Sequence, residues 1–132
     1  MTIRILICAA LLGFACVGDA FAAEVTTECP LVKPGQPEIP LKYGEPYPGG
    51  IPLAGGADEF VEKDGLLYAK YNYNPTSPFL NSLILCQYAD ESKIEISVPG
   101  GLLHCGMTIR EISRTPPIRK EWLRVWCISD VK

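Results

Sequence analysis

Residues 102–129 read LLHCGMTIREISRTPPIRKEWLRVWCIS, and this stretch decides the fold. Two runs rich in β-branched and aromatic residues flank Pro116-Pro117, a pair that fits a turn and neither a helix interior nor a central strand. Folding the chain back about that pair sets Cys105 opposite Cys127, Met107 opposite Val125 and Ile109 opposite Leu123. Every facing pair is then apolar. The stretch predicts an antiparallel hairpin with strands near 102–112 and 121–129 and one face turned to a core.

The same texture continues toward the N-terminus. Ile94, Ile96 and Val98 alternate with Glu95 and Ser97, as in a strand with one wet face, and Pro99-Gly100-Gly101 supplies the following turn. Leu83-Ile84-Leu85-Cys86 is apolar without a break, which predicts a strand over 81–88 covered on both faces and therefore central. A further strand falls near 66–73. The expected class is all-β: a small antiparallel meander, sandwich or partly open barrel of about five strands.

The segment 33–58 differs, because nearly half of its residues are proline or glycine. Such a composition predicts neither helix nor central strand but a long loop laid over the sheet, with Tyr43, Ile51 and Leu53 as its anchors. Pro37-Glu38-Ile39-Pro40 and Glu45-Pro46-Tyr47-Pro48 read as polyproline-type extended stretches within it. Asn74-Pro75-Thr76 is no glycosylation acceptor, since proline fills its middle position.

The chain opens as an address label. Arg4 gives a positive start, Ile5 to Val17 is an unbroken apolar run, and Ala20-Phe21-Ala22 offers small residues for cleavage. A membrane-crossing helix needs about 20 apolar residues, and this run is too short. The expected division is a signal peptide at 1–23 and one secreted β domain at 24–132, periplasmic or extracellular. Cys16 offers a lipid anchor as the lesser alternative, without the Leu-Ala-Gly that lipidation prefers before the cysteine.

Cleavage removes Cys8 and Cys16 and leaves Cys29, Cys86, Cys105 and Cys127, an even set in an oxidising compartment, which predicts two disulfides. The hairpin register brings Cys105 and Cys127 to about 4.5 Å between Cα atoms, close to what a bridge spans. Cys29 with Cys86 follows by elimination. In a sheet folded over on itself, Cys86 with Cys105 and Cys29 with Cys127 remain the alternative.

Catalytic equipment is missing from the sequence. There is one histidine, His104, beside Cys105 on what alternation makes the opposite face, so no tetrahedral zinc site is expected. No Gly-x-Ser-x-Gly elbow and no glycine-rich phosphate loop occur, and no cofactor is expected. The net charge of −3 argues against a nucleic-acid binder. Charge is uneven all the same: Glu24 to Asp64 is acidic, whereas Arg110, Arg114, Arg119, Lys120 and Arg124 crowd the C-terminal end.

Trp122, Arg124 and Trp126 alternate on the last strand, and the register sets Arg110 across from Trp122. Trp and Arg dominate interface energetics, which makes these four residues the candidate binding face. The expected function is a non-catalytic binding module for a protein or glycan partner, in the manner of small secreted inhibitors. The alternatives are an envelope structural or stress protein without a specific ligand, and a small hydrolase.

Cys29-Pro30, Leu85-Cys86-Gln87-Tyr88-Ala89-Asp90, Val98-Pro99-Gly100, Cys105 and Cys127 together resemble a family of small secreted bacterial proteins known by an enterobacterial locus tag. The resemblance implies the secreted address and the disulfide framework. That family has no characterised activity to imply.

Overall fold

A computed structural model describes residues 23–52, 56–113, 115–117 and 119–131. Among them nine strands form: β1 (Ala23–Glu28), β2 (Val32–Lys33), β3 (Gln36–Tyr47), β4 (Glu59–Lys63), β5 (Leu66–Asn72), β6 (Leu83–Tyr88), β7 (Lys93–Ser97), β8 (Gly101–Ser113) and β9 (Arg119–Val131). The expected signal peptide lies outside the described residues apart from Ala23, which opens β1, and so do Cys16, Leu53 and Arg114.

The strands build two antiparallel sheets, one of order β1-β9-β8-β5-β4 and one of order β2-β3-β6-β7. The class is all-β, and the five strands expected from the sequence are β5 to β9. Ile84, Cys86 and Tyr88 are fully buried on alternate positions of β6, while Leu83 and Leu85 are half-buried on its other face. This is a central strand between β3 and β7, as the apolar run requires. Its Tyr88 hydroxyl donates to the Pro30 carbonyl at 2.9 Å, so the ring is buried without stranding its polar tip.

Among the described residues two disulfides close the structure. Cys105 faces Cys127 across β8 and β9 and is bonded to it, and Cys29, just past β1, is bonded to Cys86 on β6. The first bridge staples neighbours within one sheet. The second ties the two sheets together, and all four cysteines sit in the common core with Leu41, Ile84, Tyr88, Val98, Leu102 and Val125. Bonds of this kind place the folded chain in an oxidising environment outside the cytoplasm. No helix among the described residues is long and apolar enough to cross a membrane.

The proline-rich segment corrects the sequence reading. Gln36–Tyr47 is not a loop over the sheet but a strand lying between β2 and β6. Proline is tolerated because β2 pairs with β3 only at Val32 with Pro40 and Lys33 with Gln36. From Tyr43 to Tyr47 the ladder runs to β6 alone, so the missing N–H of Pro46 has one strand to disappoint instead of two. Pro40 still contributes its carbonyl, which accepts from the Ala89 N–H at 3.0 Å. Of the expected anchors, Tyr43 packs edge-on against Trp122, whereas Ile51 is 67% exposed. Leu41, Gly44, Pro46 and Pro48 are the buried residues of this stretch instead.

Candidate functional site

The expected face on the last hairpin depends on register, and the register holds only in part. Cys105 faces Cys127, Met107 faces Val125 and Thr108 faces Arg124, but the ladder then slips between Thr108 and Ile109, so Ile109 meets Trp122. Leu123 is the extra residue, and the expected pair of Ile109 with Leu123 is not formed. A bulge of this kind reverses the alternation beyond it. Trp122 therefore shares the inner face with Met107 and Val125, packs against the core, and meets Tyr43 of the other sheet at 5.1 Å between ring centroids. Arg110 lies across from Glu121, not Trp122, with a 3.4 Å ion pair between half-exposed side chains. Trp122, Arg124, Trp126 and Arg110 do not share one surface.

Arg124 and Trp126 do remain together on the outer face. Trp126 is opposite Gly106, and a Cβ at that glycine would stand 2.4 Å from the indole, so the ring lies across the glycine backbone. The Arg124 guanidinium sits 5.0 Å from the ring centroid and is ion-paired with Glu28, and His104 meets the ring edge-on at 5.4 Å. Beside them is a shallow depression of about 340 Å³ that includes Val61, Tyr68 and Lys70. Lys70 is itself 3.9 Å from Glu59. The indole is thus covered by groups of its own chain, and the nearby cations carry carboxylate partners.

His104 and Cys105 do point to opposite faces, since Cys105 is bonded in the core and His104 packs on Trp126. Burial, and then the Lys70 charge, hold the imidazole below its ordinary pKa, which favours its neutral form. Among the described residues no group of three or more His, Cys, Asp or Glu is placed to hold a metal ion.

A second surface was not foreseen. It lies where the β5–β6 connection meets the β7–β8 turn. Phe79 and Leu80 are 45% and 59% exposed there. Two depressions of about 430 and about 270 Å³ flank Leu80, and Gly100 borders both. Only glycine fits at 100, because its φ is +69° and a Cβ would stand 2.2 Å from the Asp130 carbonyl oxygen.

The connection that carries Phe79 and Leu80 is fastened along its length. Asn74 accepts the Thr76 N–H on its side chain at 3.0 Å and the Ser77 N–H on its carbonyl at 3.2 Å. Tyr73 packs edge-on against Phe79, whose carbonyl accepts the Leu102 N–H at 3.0 Å. Ser82, almost fully buried, accepts the Gly49 N–H on its hydroxyl and the Val98 N–H on its carbonyl, each at 2.9 Å. The signal that could have found this surface is the Phe-Leu pair between Pro78 and Asn81, an apolar doublet inside turn residues.

No family model, no curated protein and no solved structure matches this chain.

Proposed function

We propose that this chain is a periplasmic or secreted, non-catalytic binding module that inserts the Phe79–Leu80 ridge into a cleft of a partner protein, in the manner of a small inhibitor. The observation that carries the reading is the combination at Leu80 of exposure with a fastened loop. A loop whose backbone is already held loses little freedom on binding, so more of the burial energy of its side chains remains as affinity. Loops at one end of a rigid β scaffold are a common place for such contacts. The secretion signal at 1–23 and membership of the secreted bacterial family belong to the same proposal, with a mature start at Ala23 or Glu24.

The test compares the mature protein with Leu80→Asp as immobilised bait in periplasmic and host-fluid extracts. Leu80 is mostly exposed, so the variant should melt with the parent. A species retained by the parent and lost by the variant supports the ridge. Retention of the same species by both, or of none by either, refutes it and leaves the structural or stress role.

A further inference from the structure

The outer edge of the five-stranded sheet points to a partner that is a second copy of this chain. β4 is the terminal strand, its five residues are all exposed, and Phe60 and Val61 are 63% and 54% exposed. An edge of this kind is a template for strand addition, and charged residues ordinarily block it. Here they select one alignment.

The turn after β4 fixes which backbone groups face outward. Asp64 and Gly65 have φ of 53° and 77°, the two left-handed positions of a two-residue hairpin turn. Such a turn makes Lys63 and Leu66 a hydrogen-bonded pair, and by alternation Val61 with Tyr68 and Glu59 with Lys70 are too. Phe60 and Glu62 therefore direct their backbone N–H and C=O groups away from β5. An antiparallel copy can pair only in registers that set these residues against one another or against positions of the same parity.

Three such registers keep β4 on β4. One sets Glu62 against Asp58 of the copy, whose N–H is already donated to the Lys70 carbonyl of its own chain at 2.9 Å, and another sets Glu62 against its own counterpart; both oppose like charges. The remaining register centres the dyad on Val61 and sets Phe60 against Glu62 and Glu59 against Lys63, so each interface has two Glu–Lys pairs. Val61 then meets Val61 on the outer face, with a Tyr68 on either side because Tyr68 already faces Val61 within each chain.

We propose that the protein forms a symmetric dimer through β4 in this register, joining two five-stranded sheets edge to edge. The contact is isologous and closes at two copies, because pairing consumes the β4 edge of both.

Sedimentation velocity over a concentration series tests it with the mature protein, Lys63→Glu and Glu59→Lys. The parent should show a concentration-dependent monomer–dimer equilibrium. Each variant alone opposes like charges twice and should dimerise roughly tenfold or more weakly. An equimolar mixture of the two restores both opposite-charge pairs and should regain the dimer. A parent that stays monomeric up to about 1 mM overturns the proposal. So does a dimer indifferent to both variants, or a mixture no tighter than its components.

Discussion

Gly44 of β3 lies directly against Val125 of β9: a Cβ at position 44 would stand 2.6 Å from one valine methyl carbon and 2.9 Å from the other. The two sheets approach closely at this pair, with no room for a larger residue at position 44. Gly44→Ala should cost about 1–3 kcal/mol through overpacking. Denaturant titration of the variant checks this, and Gly44→Ala combined with Val125→Ala should recover part of the overpacking loss, less the cost of the deleted methyl groups.

Trp122 and Arg124 should respond oppositely to truncation, though only one residue separates them. Trp122→Ala removes a ring packed on the core and on Tyr43 and should cost about 3 kcal/mol. Arg124→Ala removes an exposed ion pair and a cation–π contact and should cost less than about 1.5 kcal/mol. Equal losses in the two denaturation curves would contradict the inward turn of Trp122.

The two disulfides should differ in worth. Cys29–Cys86 closes a separation of 57 residues and Cys105–Cys127 one of 22. By loop entropy alone they contribute about 4 and about 3 kcal/mol. Paired Cys→Ala variants should therefore lose more stability at 29 and 86 than at 105 and 127, as read from their melting temperatures.

Alkali should unfold the protein. Burial raises the Tyr73 phenol to about 12, and its hydroxyl finds no hydrogen-bond partner among the described residues. Burial, followed by the neighbouring Glu45 carboxylate, raises Tyr43 to about 12 as well. The unfolded chain releases these protons near pH 10 while the folded chain keeps them, so stability holds below about pH 10 and falls as pH rises toward 12. A pH series of denaturation midpoints checks this, and Tyr73→Phe should flatten the decline.

The strands most legible in the sequence were those whose side chains carry the pattern. β7 alternates, β6 is apolar throughout, and β8 and β9 face each other with matched pairs around the cysteines. β3 was hidden because proline and glycine speak about hydrogen bonds a strand cannot make, and not about how few its position asks of it. β4 was hidden because its charges and full exposure give no buried face to read, although Asp64-Gly65 marks the turn beyond it. The binding face miscarried at Leu123, since alternation counts residues and a bulge adds one. The Phe79–Leu80 surface depends on contacts from Gly49, Val98 and Leu102, which are distant in sequence from the loop they hold.

The extra residue at Leu123 also bears on how this chain should be aligned with any relative. Positions on β9 before and after it obey opposite parities, so a homologue lacking the insertion would carry its inward aromatic directly before the counterpart of Arg124. A column-by-column comparison without a gap would then score Trp122 as lost in that homologue, although the ring still filled the same space. Placing a one-residue gap at 123 would restore the correspondence, and the identity of the residue opposite Ile109 is the quantity to compare.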